Sequence, residues 1–82
     1  MLLHIGENRF VPSASIVAIV PADNVPAETE NLIRSCAEVG RYYPSYGAPK
    51  SYVICVRDDA TYVYAASTAI RTLKERIAEV RQ

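Results

Sequence analysis

The segment Arg41–Tyr52, with the sequence RYYPSYGAPKSY, holds the densest group of side chains that could bind a charged partner. Four tyrosines, two cations, two prolines and one glycine fall within these twelve residues. Cations attract phosphates and aromatic rings stack on nucleobases, although the same residue types also occur in protein–protein interfaces. The alternative is architectural: the tyrosines pack on a sheet edge, and Pro49 keeps Ala48 extended at the start of a strand. Composition leaves both interpretations open.

The charges of the chain sum to zero but are divided unequally along it. Residues 1–40 carry two arginines against five carboxylates, whereas residues 41–82 carry seven cations against four carboxylates. The first part is therefore net −3 and the second net +3. This asymmetry favours either a basic surface on a neutral protein or contacts between oppositely charged parts of neighbouring molecules.

Residue types that support catalysis are sparse. The single histidine, His4, lies in a predicted strand, and the pair Asp58-Asp59 lies where aspartates favour a turn. The glycines are isolated, so no phosphate-cradling loop is present, and the spacing of His, Cys, Asp and Glu does not match a metal site. We therefore predict that the chain is not an enzyme and has no cofactor, no metal and no small-molecule substrate.

The length of 82 residues predicts one domain covering residues 1–82. A chain of this size buries only roughly 60–65% of its unfolded surface, yet half of its residues are hydrophobic. Because a lone domain cannot hide such an excess, the composition favours self-association. Cys36 and Cys55 lie inside apolar patterns and are predicted to be core residues, not a disulfide or a metal pair.

Targeting signals are not evident in the sequence. No apolar run approaches the roughly 20 residues that a membrane span needs. The apolar start, Met1–Ile5, is too short for a signal peptide and is followed by a turn. We therefore expect a cytoplasmic protein that does not contact a membrane.

The first half of the chain predicts three strands and a helix. LLHIG and NRFVP flank a hairpin tip at Gly6-Glu7-Asn8, and the β-branched run Ser15–Pro21 predicts a third strand of the same meander. Apolar residues then recur with helical spacing from Pro26 to Val39. We expect Asp23 or Asn24 to cap this helix and Gly40 to end it.

The second half predicts a hairpin followed by a helix. SYVICVR and TYVYAA flank Asp58-Asp59-Ala60, and Ser67 or Thr68 is expected to cap the last helix. That helix carries one apolar stripe, formed by Ile70, Leu73, Ile77 and Val80. The predicted fold class is α+β: a small, mostly antiparallel sheet in the order βββ-α-ββ-α, with one inserted helix and one C-terminal helix.

Three short motifs resemble those of the RemA/RemB family, and the RemB branch most closely. They are LHIGENRFVPSASIVAIV near the start, GAPKS before the fourth predicted strand and TLKER in the last helix, and together they span essentially the whole chain. The resemblance implies a small bacterial regulator of extracellular-matrix (biofilm) genes. In the RemA branch it implies a ring-shaped homo-oligomer that binds double-stranded DNA through basic residues on its outer surface.

The arginines that the RemA pattern implies are replaced in this chain by Ala48, Pro49 and Ser15. Neighbouring cations could substitute for them, and the predicted nucleic-acid-binding residues are Lys50, Arg41 and Arg9. Each neutralised phosphate adds only about one unit to the slope of log binding constant against log salt concentration. Useful affinity therefore requires several copies of these cations in one assembly.

The second interpretation is a protein-interaction or scaffold module with the same oligomeric fold and without RemA-type DNA contacts. The two interpretations differ in whether the Arg41–Lys50 loop faces solvent with its cations clustered.

Overall fold

The computed structural model describes residues 1–80, in which six strands and two helices follow one another in the predicted α+β order. The elements are β1 (Leu2–Gly6), β2 (Arg9–Pro12), β3 (Ile16–Pro21), α1 (Ala27–Glu38), β4 (Tyr42–Tyr43), β5 (Ser51–Arg57), β6 (Ala60–Ala66) and α2 (Ile70–Val80). The mixed class, the mostly antiparallel pairing and both helices are as predicted. The added element is β4, a two-residue strand inside the tyrosine-rich segment.

The strands form two sheets, so the predicted meander through Pro21 is wrong. β1 and β2 form a two-stranded antiparallel sheet, whereas β3 joins a four-stranded sheet in the order β3-β5-β6-β4. The first three pair antiparallel, and β4 is parallel to β6. A single 3₁₀ turn, Ser13–Ser15, separates β2 from β3, and the Ser15 hydroxyl closes it by donating to the Pro12 carbonyl at 2.6 Å. This turn redirects the chain, and β3 pairs with β5 instead of β2.

Both hairpins close through two-residue turns with positive φ. In the first, Glu7 and Asn8 have φ of 56° and 59°, and in the second, Asp58 and Asp59 have φ of 52° and 63°. Positive φ at both central residues is the backbone of the type I′ turn, whose twist matches that of the flanking strands. The predicted three-residue tips are each one residue too long, because Gly6 and Ala60 belong to strands.

The four-stranded sheet is covered on both faces. Successive residues of a strand point to opposite faces, so Val53 and Cys55 lie in one core and Ile54 in the other. The larger core also contains Leu3, Ile5, Val11 and Leu73 from β1, β2 and α2. The smaller core contains Cys36 of α1 together with Val63 of β6. Cys36 and Cys55 are buried and free, which confirms their prediction as core residues.

α1 ends as predicted but begins differently. Pro26 occupies the N-cap position without a side-chain cap, so the predicted caps Asp23 and Asn24 are wrong. At the other end Gly40 has φ 77°, and its N–H donates to the Ala37 carbonyl at 3.3 Å. The next N–H, of Arg41, donates to the Cys36 carbonyl at 2.8 Å. This pair of bonds is the Schellman motif, which satisfies carbonyls that the helix end would leave unpaired.

α2 begins at Ile70, one residue later than a cap at Thr68 would place it. The Ala69 carbonyl accepts the first helical bond, from the Leu73 N–H at 3.2 Å, so Ala69 is the N-cap and Ser67 and Thr68 are not. The Thr68 hydroxyl instead donates to the Ile5 carbonyl at 3.0 Å and joins the start of α2 to β1. Within residues 1–80, neither helix combines the length and the apolar content needed to cross a membrane.

Candidate nucleic-acid interface

Arg9 is held by the protein's own backbone. Its Nη1 donates to the carbonyls of Tyr43 and Ala65, both at 3.3 Å, and its Nη2 donates to the Pro44 carbonyl at 3.1 Å. The forked guanidinium thereby joins β2 to β4 and β6. Sequence reasoning assigned this arginine to a phosphate, but its donors are directed at carbonyls that the fold brings within reach.

Arg41 is also bonded internally. It follows the Gly40 stop of α1, is partly buried, and donates from Nε to the Thr61 carbonyl at 3.1 Å. The Cys36 thiol lies 3.5 Å from the same oxygen. Arg41 therefore fixes the end of α1 to the start of β6.

Lys50 is the predicted cation that faces solvent. Its backbone is fixed on both sides, since its N–H donates to the Ala66 carbonyl at 2.8 Å and its carbonyl accepts from the Ala22 N–H at 3.0 Å. Its exposed side chain borders an open surface cavity of about 370 Å³. Ala69 and Ile70, at the N-terminus of α2, line this cavity, as does Asp23. A helix N-terminus carries unpaired N–H groups and a partial positive charge, so Lys50 and α2 together favour an anion there.

The three predicted cations do not form one cluster. Their contacts on β6 are Thr61 for Arg41, Ala65 for Arg9 and Ala66 for Lys50. At about 3.3 Å per strand residue, the Thr61 and Ala66 ends of β6 are roughly 16 Å apart. Arg41 and Lys50 are therefore at opposite ends of this strand.

The tyrosine-rich segment is partly architecture and partly surface. Its backbone is tied to the first hairpin, because the Tyr46 N–H donates to Glu7 Oε1 at 3.0 Å. Tyr43 stacks on Tyr64 with ring centroids 4.7 Å apart, and burial raises the pKa of the half-buried Tyr42. In contrast, the side chain of Tyr46 is 93% exposed. The architectural interpretation therefore holds for Tyr43, whereas Tyr46 does not pack within the protomer.

Sequence reasoning missed two cations of α2 as candidates. Arg71 and Lys74 are exposed, beside and beyond the N-terminus that borders Lys50. Arg71 is paired with Glu75 across one helical turn at 3.8 Å, an exposed contact of little energetic weight. The signal was present in the sequence, since both residues lie off the apolar stripe of this helix. The exposed cations among residues 1–80 are Arg34, Lys50, Arg71 and Lys74, and Arg81 lies outside the described residues.

The other two arginines have internal partners. Arg76 donates from Nη1 to the His4 carbonyl at 2.8 Å, which joins α2 to β1. The guanidinium of Arg57 lies 4.4 Å from the centroid of the Tyr62 ring, and its Nη2 donates to the Tyr64 hydroxyl at 2.6 Å. Such cation–π and hydrogen-bond contacts leave this group little freedom to contact a ligand.

The buried thiol of Cys55 is poorly suited to nucleophilic chemistry. Burial raises its pKa, although a hydrogen bond with Ser15 and the charge of Arg57 act in the opposite direction. The thiol therefore stays protonated at neutral pH, whereas nucleophilic attack needs the thiolate. No group of three His, Cys, Asp or Glu residues in the described range is close enough to hold a metal ion.

Comparisons with known proteins assign the chain to no family: no family model and no curated protein matches it.

Proposed function

We propose that this chain is a DNA-binding transcriptional regulator of bacterial extracellular-matrix (biofilm) genes that acts in the cytoplasm as a homo-oligomer. The proposal has two supports. One is the resemblance of its motifs to the RemA/RemB family. The other, which carries the proposal structurally, is the exposed Lys50 beside the N-terminus of α2.

The chemistry of this surface suits the phosphate backbone. An ammonium group and the N–H groups of a helix N-terminus both bind phosphate oxygens, and neither distinguishes one base from another. Arg71 extends the positive charge along the exposed side of α2. DNA binding through these groups therefore depends on salt and little on sequence.

A single protomer offers few such contacts. Lys50 and Arg71 supply at most about two phosphate contacts, and Asp23 and Glu75 reduce the local positive charge. An assembly that repeats the surface binds one duplex through several protomers and gains affinity by avidity. A homo-oligomer, ring-shaped as in the RemA branch, is therefore part of the proposal.

The test compares two exposed cations on different surfaces. Lys50→Ala should weaken binding to mixed-sequence duplexes nearly equally for all sequences and lower the salt slope by about one per engaged protomer. Electrophoretic mobility shifts at low and high salt measure both quantities. Arg34→Ala, which removes an exposed cation from α1, is the matched control and should bind like the parent. Parent-like binding by Lys50→Ala would contradict the proposal.

The second candidate, a protein-interaction or scaffold module, is favoured by the internal bonding of Arg9 and Arg41. This bonding engages donors of two of the three predicted cations within the protomer. This candidate predicts that Lys50→Ala leaves DNA binding unchanged, whereas loss of the exposed Tyr46 ring weakens binding to a protein partner.

A further inference from the structure

The outer edge of β3 has the composition of a strand that is normally paired. Its six residues, IVAIVP, carry no charge, and four of them are β-branched. β3 is the terminal strand of the four-stranded sheet, so one side of its backbone has no partner strand in the described part of the chain. The Val17 side chain is 62% exposed. Exposed apolar edges of this kind pair readily with another strand.

The hydrogen-bonding groups at this edge follow from the register. The Ala22 N–H donates to the Lys50 carbonyl, so Ala22 faces β5. Backbone groups alternate between the two sides of a strand, and the register is continuous from Ala18 to Pro21. Ile19 and Pro21 therefore direct their backbone groups outward. Pro21 has no backbone N–H, and its nitrogen faces the unpaired side of the strand. The hydrogen bonds between β3 and β5 are therefore complete.

The opposite edge of the same sheet is protected. β4 is only two residues long and is followed by Pro44. The carbonyls of Tyr43 and Pro44 accept hydrogen bonds from Arg9. Short strands and prolines are devices that block edge pairing. The sheet therefore cannot extend through its β4 edge.

β3 is longer and uncharged, but it has a bulge between Ile16 and Ala18 and a proline as its last residue. Between these two features, Ile19 still directs its N–H and its carbonyl to the open side.

A shallow apolar groove runs beside the β3 edge. It is lined by Ile16, Val17, Ala18 and Ile19 of β3 and by Lys74 and Ile77 of α2. A six-residue strand spans only about 20 Å, so pairing of backbones alone buries less area than a stable dimer needs. The apolar side chains along this groove supply the additional burial.

We propose that β3 pairs antiparallel with β3 of a second copy of this chain. Since the β4 edge is protected, β3 is the edge through which the four-stranded sheet can extend, and a second β3 is its symmetric partner. Because β3 carries no charged residue, two copies of the strand can pair without repulsion between like charges. In a dimer with a two-fold axis, both subunits use the same surface for the contact. The inference deepens the homo-oligomer part of the proposed function: it names the surface and predicts an even number of subunits.

The first test introduces a charge at the edge. Val17→Lys, a substitution that matches a natural device against edge pairing, should shift the mass measured by light scattering to a smaller species. Val39→Lys is the matched control, because Val39 is 57% exposed at the end of α1 and the substitution is the same. Its mass should equal that of the parent. The far-UV circular dichroism of each variant reports whether the fold is retained.

The second test does not depend on the charged variant folding. Ala18→Cys places an exposed thiol on β3, and Ala37→Cys places one on α1 as the control. A short bis-maleimide should cross-link the first variant into covalent dimers and leave the second at the level of the parent, whose cysteines are buried.

Three results would overturn the β3 pairing: a parent monomer near 9.1 kDa at micromolar concentration, a folded Val17→Lys with the parent's mass, or no excess cross-linking of Ala18→Cys. Failure here is distinguishable from failure of the DNA proposal. The DNA proposal is tested by the DNA affinity of Lys50→Ala, and the β3 pairing is tested by the mass of Val17→Lys.

Discussion

At the scale of residues, the structure separates cations that hold the fold from cations that are free to meet a partner. Arg9, Arg41 and Arg76 donate to backbone carbonyls at separations of 20 to 72 residues along the chain. Lys50 has the shorter and more flexible ammonium side chain and stays exposed. Arginine suits the first role because its fork serves several carbonyls at once.

Arg9→Lys should lower the free energy of unfolding by about 1–2 kcal/mol, because an ammonium cannot span the three carbonyls that the guanidinium serves. Denaturant titration measures this cost. Arg71→Lys, at a side chain that is 91% exposed, is the matched control and should stay within about 0.5 kcal/mol of the parent. An Arg9→Lys variant that is as stable as the parent would contradict this structural role of the guanidinium.

The fate of individual side chains was only partly predictable. Apolar periodicity identified Cys36 and Cys55 as core residues, because the pattern along one element determines which face is buried. The acceptors of Arg9 and Arg41 lie on β6 and in the segment before Ser45, and no local pattern reveals such long-range partners. Residue type alone therefore overestimated the number of free cations.

At the scale of elements, Gly6 joins the first hairpin to the start of α2. It has φ 104°, and a Cβ atom built there would lie 2.6 Å from the Thr68 hydroxyl oxygen. That hydroxyl donates to the carbonyl of the neighbouring Ile5. The lack of a side chain at Gly6 thus permits the close approach of β1 to the segment before α2.

Alanine at each of the three glycines should produce a graded loss of stability. Gly47→Ala has no close neighbour and no positive φ, so its unfolding free energy should stay within about 0.5 kcal/mol of the parent. At Gly40 an added Cβ has no close neighbour, but the φ of 77° is unfavourable for alanine, so Gly40→Ala should lower the free energy of unfolding by about 1 kcal/mol. Gly6→Ala adds the clash with Thr68 and should cost about 2–4 kcal/mol. Thermal or denaturant unfolding that ranks Gly6→Ala below Gly40→Ala in cost would contradict this account.

Element type was predictable where the local pattern was strong, and strand partners were not. Both helices, five strands and both hairpin turns follow from periodicity and turn residues. The separation of β3 from β2 depends on a three-residue turn, and β4 depends on parallel pairing with β6. Proline and serine in the segment Pro12–Ser15 are typical turn residues, but they do not indicate which strand pairs with β3. A two-residue strand such as β4 is defined by its partner.

At the scale of the whole molecule, both cores contain acidic groups that are held protonated. Burial raises the pKa of Tyr42, Cys55 and Tyr64, and for Tyr64 this outweighs the neighbouring charge of Arg57. Their protonated forms are favoured in the folded state. The unfolded chain therefore loses these protons first as the pH rises, and folding stability falls.

The free energy of unfolding should be constant near neutral pH with respect to these groups and fall above about pH 8.5, where an unfolded cysteine begins to ionise. In Cys55→Ala the free energy of unfolding should fall less steeply between about pH 8.5 and about pH 10, because the thiol is absent. Above this range the tyrosines of the unfolded chain also ionise. Val53→Ala, a truncation without a titrating group in the same core, is the control and should keep the parent's slope. Denaturant titrations across this range measure the slopes, and a stability that rises with pH would refute the assignment.

The contact between α2 and β1 has a consequence for the order in which the molecule is completed during synthesis. Leu73 packs with Leu3 and Ile5, and Arg76 donates to the His4 carbonyl across 72 residues of chain. A ribosome releases β1 before β5, β6 and α2, which supply most of its partners in the larger core. Before these elements emerge, the apolar side of the first hairpin lacks its cover, and closing so long a loop slows the final step. Until α2 has emerged, the nascent chain is thus exposed to aggregation or chaperone capture.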